Sequence, residues 1–354
     1  MSGSPRWTRR PEGSNWGDFG PDDQRGRLNL LTPERVRRAA QEVREGLTFN
    51  LSLPLDYPGG QVLVPTRWPP RLSPTMRDGG PNMNRPARLQ NPLHTDVVCD
   101  DAVALCLQYS TQWDSLAHVG SLFDADGDGE AEVRYYNGYR GGEDVVGPFD
   151  YLKNTPVDCD APGARALGIE NMAEACVQGR GVMIDLEKHC GRAHRAVGYE
   201  ELMRILEADQ VEVEEGDMVC LRTGFDRVVL GMHKDPTAEA LHGACVGLDG
   251  SDRKLLRWVT DSGLAVLISD CYAVEFVDTP APGAAAGHDH APRARLGLHE
   301  HCLFKLGIHL GELFLLSDLA DWLGAHGRFR FLLTAPPLRL PGAVGSPPAP
   351  VATV

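Results

Sequence analysis

Gln108-Tyr-Ser-Thr-Gln-Trp-Asp-Ser-Leu-Ala-His118 sets four polar side chains at even spacings after an apolar run. Residues 103–109 read as a strand, with Val103, Leu105, Leu107 and Tyr109 on one face. If the chain stays extended to Asp114, then Gln108, Ser110, Gln112 and Asp114 share the opposite face, because side chains alternate along a strand. A polar stripe leaving a half-apolar strand needs a partner or a cavity. His118 lies four residues beyond Asp114, so one helical turn or a tight loop brings it beside that carboxylate. An Asp–His pair is a usable acid/base unit, the carboxylate fixing the imidazole tautomer and supporting its protonated form. The plainer reading is a solvent-facing stripe with a structural Asp–His contact.

Outward from this segment, the pattern is that of one α/β domain with a mixed sheet. Residues 1–15 are polar and proline-bearing and read as a flexible N-terminal tail, leaving 16–354 as the domain. Thr32 followed by Pro33 predicts a helix over 31–45, with Thr32 as N-cap. Further helices are expected over 169–176, 198–209, 252–262, 299–306 and 317–324. Strands are expected over 47–55, 181–186, 217–223, 264–269 and 329–334. Residues 58–97 read as a long loop that covers something. Residues 279–295 read as a flexible insertion, and the proline-rich 336–354 as extended chain.

The 354 residues carry 35 Lys and Arg against 49 Asp and Glu, a formal charge of -14. That balance argues against nucleic acid or an anionic membrane as partner. No apolar run is long enough to span a bilayer, and the N-terminus has no secretory h-region. The nine cysteines include no Cys-x-x-Cys, which fits reduced thiols in a cytoplasmic protein.

Beyond these readings, the chain resembles the putative cyclase family, which includes bacterial kynurenine formamidase and isatin hydrolase. That family carries His-x-Gly-Thr-His-x-Asp-x-x-x-His. Thr111, Asp114 and His118 match it in spacing, while Gln108 and Gln112 replace both histidines and Ser110 the glycine. The resemblance extends over nearly the whole chain, through Asn15-Trp-Gly, Tyr136-Asn-Gly138, Gly168-Ile-Glu-Asn-Met172, Arg222-Thr-Gly224, Ser269-Asp270, Ala273-Val-Glu275 and Gly311-Glu312. It implies a single domain built on a barrel-like mixed β-sheet flanked by helices. It also implies a hydrolase acting on an amide, lactam or lactone of a small molecule, assembled as a homodimer or tetramer.

Carried over by position, the resemblance makes Asp114 a metal ligand and His118 the acid/base. Glu312 matches the family's late glutamate and His299 its late histidine, with His301 competing. The implied metal set is therefore Asp114, Gln108, Gln112, His299 and Glu312. Zinc prefers nitrogen, sulfur and carboxylate ligands, whereas a glutamine carbonyl suits a harder ion, so Mn²⁺ is expected over Zn²⁺. Alternatively Gln108 and Gln112 hydrogen-bond a substrate in a metal-free pocket. That alternative is a cyclase, dehydratase or isomerase working through His118, or a small-molecule binder without catalysis. Trp113 and Tyr136 are candidates to stack on a planar substrate, core packing being the competing role for each.

Three other clusters compete for metal. Residues 124–129 (Asp-Ala-Asp-Gly-Asp-Gly) open like a calcium loop, but Tyr135 occupies the twelfth position in place of glutamate, so a hairpin tip is expected. His288 and His290 fall in the insertion. His189, Cys190 and His194 fall in a polar loop expected over 185–195.

Overall fold

A computed structural model of the chain describes residues 6–277 and 293–354. Its centre is a nine-stranded mixed sheet, curled as a half-barrel and flanked by helices. In chain order the strands are β1 (Thr48–Asn50), β2 (Gln112–Asp114), β3 (Gln178–Asp185), β4 (Met218–Arg222), β5 (Val266–Ser269), β6 (His309–Glu312), β7 (Arg330–Thr334), β8 (Gly345–Ser346) and β9 (Val351–Thr353). Across the sheet they run β1-β9-β7-β3-β4-β5-β6-β2-β8. Strands β3 to β6 run parallel to one another, and all other pairings are antiparallel. The central strands are buried along most of their length, as parallel strands covered on both faces must be.

Most expected elements are present within a few residues. Thr32 caps the helix Pro33–Ala39 by accepting from Arg35 N. The amphipathic helices Tyr199–Ala208 and Arg253–Ser262 bury Leu202, Ile205 and Leu206 and Leu255 and Val259, respectively. The extended C-terminal segment does more than trail: β8 and β9 supply one outer strand and one near-edge strand at opposite ends of the sheet.

Three expectations are corrected. The strand expected over 103–109 does not reach the motif. Only Asp101–Ala104 is a strand, exposed throughout and paired with Arg71–Pro74. These two belong to a set of short hairpins between residues 71 and 104, in which the side chains of Leu72, Met76, Leu89 and Leu93 are exposed. Their backbone pairs locally, and their apolar side chains meet none of the three core clusters. The expected tail is also held from residue 6 onward: Trp7 lies 6.2 Å from Trp16, and Arg9 pairs with Asp124 at 2.7 Å. Residues 185–195 are not a plain loop, because Leu186–Cys190 is a short helix capped by Asp185. Most of the expected insertion, with His288 and His290, lies outside the described residues.

Candidate active site

Strand β2 is only three residues long, yet it sets the site. Gln112 and Asp114 point to one face of the sheet and Trp113 to the other. The antiparallel register places Glu312 opposite Gln112, Gly311 opposite Trp113 and Leu310 opposite Asp114, so Glu312, Gln112 and Asp114 share a face. Behind them the Trp113 indole packs 5.3 Å from Phe314 and donates to the Ala335 carbonyl at 2.8 Å. Gly311 permits that packing. A Cβ there would meet Phe314 Cε2, Ile268 Cγ1 and Trp113 Cζ3 at 2.9–3.0 Å.

His299 enters from a helical turn, Gly297–His299, that leads into the π-helical Glu300–Leu306. Glu275 fixes it. One carboxylate accepts from Leu298 N at 3.1 Å, from His299 N at 3.0 Å and from the ring Nδ1 at 2.6 Å. The opposite ring nitrogen, Nε2, is thereby aimed at Glu312 Oε1 at 3.2 Å and Asp114 Oδ2 at 4.0 Å. Burial disfavours the imidazolium, but the hydrogen bonds and charges of Glu275 and Glu312 outweigh it and lift His299 to about 10. Glu312 is pushed up to about 7 by burial first and by the Asp114 charge second. His301 takes no part: its Nε2 meets Thr260 Oγ1 at 2.9 Å, and burial pushes it down to about 4.

Gln112 closes the cluster. Its Nε2 donates to Glu312 Oε2 at 2.7 Å and, more weakly, to Asp114 Oδ1 at 3.4 Å. Its Oε1 and Asp114 Oδ2 are buried without any hydrogen-bond partner, an arrangement costly enough to call for explanation. A tight turn, His118 N donating to Ser115 O at 3.0 Å, returns His118 toward Asp114. Its Nε2 lies 3.8 Å from Asp114 Oδ1, too far for a hydrogen bond. Burial lowers the His118 pKa against the raising effect of Asp114, and the charges of His299 and Arg67 add to the lowering.

The cluster fits a divalent cation. Asp114, His299 and Glu312 each offer a ligand atom, all within 4.8 Å of one another. Ligands around an ion at about 2.0–2.2 Å sit roughly 3–4 Å apart, which the separations of 3.2 and 4.0 Å from His299 Nε2 match. The unpartnered Asp114 oxygen is the remaining observation a cation would explain. Asp124, Asp126 and Asp128 also converge, but on an exposed hairpin tip, as expected. There Asp124 accepts from Gly127 N and Gly129 N and pairs with Arg9, and Asp126 pairs with Arg134. His189 pairs with Asp209 and His194 lies against Phe276, so neither turns to a ligand site.

A small cleft lies next to the cluster. Leu313, which follows Glu312, lies in its wall with Gln108, Tyr109, Tyr272 and Arg67. The long segment after residue 57 does cover something, since Gly59, Gly60 and Leu63 also line the cleft. Among the residues singled out in the sequence, Gln112, Asp114, His118, His299 and Glu312 are brought together.

Gln108 is not in that set. The chain turns between Cys106 and Tyr109, so the alternation assumed from 108 to 112 is broken. The Gln108 side chain lies against Gly345 and in the cleft wall. Trp113 is fully buried on the far face and cannot reach a substrate. Tyr136 is fully buried beside Gly307, carried there by the hairpin before it, and its phenol is pushed up by burial and Asp23. Glu275, Tyr272 and Arg67 were not assigned to the site from sequence. Glu275 lay inside a matched motif, whereas nothing in the pattern marked the other two.

A family model described as putative cyclase matches residues 49–276. Among solved structures, a novel cyclase aligns at 29% identity and a TM-score of 0.71, covering 96% of this chain and 99% of its own. Isatin hydrolase A from Ralstonia solanacearum aligns at 13% identity and a TM-score of 0.52, covering 89% and 93%. An isatin hydrolase bound to the product analogue thioisatinate aligns at 13% and 0.52, covering 92% and 98%. At 13% identity these hydrolases share the fold alone. No curated protein matches the chain.

Proposed function

The chain belongs to the putative cyclase family, and on that premise we propose that it hydrolyses a C–N or C–O carbonyl bond, as in an amide, lactam or lactone. The observation that carries this reading is the buried Asp114–His299–Glu312 group with an unpartnered carboxylate oxygen, set beside His118 and one residue from Leu313 in the wall of a cleft. Asp114, His299 and Glu312 would hold a divalent cation, with the Gln112 amide oxygen joining them after rotation. That set is rich in hard oxygen donors, which favours Mn²⁺ over Zn²⁺. What such a cation supplies when bound is Lewis acidity toward a carbonyl oxygen and an acidified water.

The proton transfers belong to His118. Its lowered pKa keeps the imidazole neutral near pH 7, ready to accept a proton. Asp114, at 3.8 Å, stabilises the imidazolium that forms. His118 then passes the proton to the departing nitrogen or oxygen. His118→Asn should lower kcat by at least about a hundredfold with cation binding unchanged. Turnover that survives this substitution would remove His118 from the chemistry.

A second reading has its own support. The Gln112 amide already bridges Glu312 and Asp114, so the cluster can close without a cation and leave acid/base cyclisation, dehydration or isomerisation to His118. Metal analysis of protein purified without chelator, then incubated with Mn²⁺ or Zn²⁺, separates the two. Less than about a tenth of an equivalent bound under every condition would select the metal-free reading. The nine cysteines, none in a disulfide, suit a reducing compartment, so the cytoplasm is part of this proposal. So is a homo-oligomer, for which the exposed apolar side chains of the 71–104 hairpins offer a contact surface.

A further inference from the structure

Arg67 is a cation in the wall of the cleft with no carboxylate of its own. Its Nη1 donates to the Gln108 carbonyl at 2.7 Å, which fixes the guanidinium without neutralising it. Its remaining nitrogens meet no acceptor among the described residues, and no ion pair includes it. A guanidinium carries five N–H donors, so most of its hydrogen-bonding capacity is unspent. The neighbouring backbone is anchored, Trp68 N lying 3.4 Å from Cys106 Sγ, so Arg67 is not on a free loop tip.

The charge around it is opposite in sign. The adjoining cluster holds Asp114, Glu312 and Glu275, and the chain as a whole carries -14. Most arginines in this protein found a carboxylate, including Arg180 with Asp217 and Arg222 with Asp185. Arg67 sits close enough to the cluster for its charge to act on both Glu312 and His118, yet it pairs with neither. The rest of the wall carries no charge: Leu63, Leu313, Tyr109 and Tyr272 lie there with the neutral amides of Gln61 and Gln108.

We propose that Arg67 is an anion-binding residue, and that the substrate is a small amide or lactone bearing a carboxylate that pairs with Arg67 while its scissile carbonyl faces Asp114 and His118. The proposal rests on the hydrolase reading of this site and names its substrate class. A planar guanidinium binds a carboxylate through two parallel hydrogen bonds, which fixes orientation as well as affinity. It also offsets the repulsion an anionic substrate would meet from Asp114 and Glu312.

The test has a binding arm and a turnover arm, so that the two readings fail separately. Benzoate and benzamide are titrated into the full-length protein in the presence of a chelator, with wild type, Arg67→Met and Arg67→Lys compared by calorimetry. Benzoate should bind wild type roughly tenfold or more tighter than benzamide, the difference should vanish in Arg67→Met, and Arg67→Lys should recover part of it. In the turnover arm, matched aryl amides and lactones with and without a ring carboxylate are assayed. The carboxylate members should show the higher kcat/KM, and Arg67→Met should erase that preference mainly through KM, with the carboxylate members losing more than the neutral ones. Equal binding of benzoate and benzamide, or a benzoate preference that persists in Arg67→Met, overturns the anion site. Arg67-dependent benzoate binding with no turnover of any amide or lactone leaves the anion site standing and overturns the hydrolase reading and the substrate class together.

Discussion

Replacing Glu275 by glutamine keeps the shape of the side chain and removes its charge. In the native arrangement one carboxylate receives Leu298 N–H, His299 N–H and the His299 ring. An amide has a single oxygen, so its NH₂ group must face either the Leu298 donor or both His299 donors. A buried donor left unpaired costs about 1–3 kcal/mol. Unfolding entropy near 2.1 cal/mol/K per residue gives this chain roughly 0.7 kcal/mol/K, so the melting temperature should fall by about 1–4 °C. The larger effect is on cation binding. A carboxylate that accepts from a ligating imidazole fixes its tautomer and raises its basicity, and losing one typically weakens metal affinity about 10–100-fold. A less basic imidazole also surrenders its proton more readily, which returns part of that loss and puts the expectation near the lower end, about tenfold. The assay is calorimetric titration of Mn²⁺ into wild type and Glu275→Gln, with thermal melts of both. Unchanged Mn²⁺ affinity alongside a melting loss of this size would refute the assignment of Glu275 as the residue that aims His299.

Two further expectations concern stability. Burial holds His309 at about 3 with its Nδ1 unpartnered, below the ordinary value near 6.5 that the unfolded chain has. Its contribution is therefore fully present above pH 6.5 and is lost as pH falls toward 3, amounting to about 2 kcal/mol at pH 5. Between pH 7 and pH 5, denaturant titrations should show wild type losing about 2 kcal/mol more stability than His309→Leu, and identical pH dependence in the two proteins would contradict this. Gly311→Ala places a methyl 2.9–3.0 Å from Phe314, Ile268 and Trp113. Overpacking of that kind costs about 1–3 kcal/mol and displaces Glu312, so both melting temperature and Mn²⁺ affinity should fall, whereas a variant as stable as wild type would mean the β2–β6 contact is looser than described.

The sequence carried the sheet well where period and length agreed. Residues 218–221 and 264–268 are continuous apolar runs, and both supply buried parallel strands. It failed where the apolar pattern was real but the burial was not. Residues 103–109 alternate cleanly, yet the strand there belongs to an exposed hairpin, because local pairing with Arg71–Pro74 satisfies its backbone without a core. That failure moved Gln108 out of the cluster while leaving Gln112, Asp114 and His118 in it, since their mutual placement depends only on β2 and the turn after it. His299 over His301 was decided by tertiary contact alone: Glu275 reaches one and Thr260 the other. Arg67 was invisible in sequence because its significance is the absence of a partner, which only a folded chain can display.

Gln112 is where these strands of argument meet. Two carboxylates buried side by side repel, and Glu312 rises to about 7 partly for that reason. A histidine at position 112 would present one nitrogen to the pair, as lone pair or as N–H. A glutamine presents both kinds of group on one rotor. With its NH₂ toward Glu312 and Asp114 the carboxylates are bridged, and the cost appears as an unpartnered Oε1. With the amide turned over, Oε1 faces two carboxylates, an arrangement that only a cation between them makes favourable. A cation held by Glu312 Oε1, Asp114 Oδ2 and His299 Nε2 would leave the hydrogen bond from Gln112 to Glu312 Oε2 in place, whereas one that also takes the Gln112 oxygen has to break it. Hydrogen bonds to charged groups are worth about 1.5–3 kcal/mol, so recruiting the Gln112 oxygen as a fourth ligand sets roughly 10–150-fold against whatever affinity that ligand adds. The residue that departs from the family motif thus stabilises the cluster without metal, and it offers its oxygen to a metal only by giving up that stabilisation.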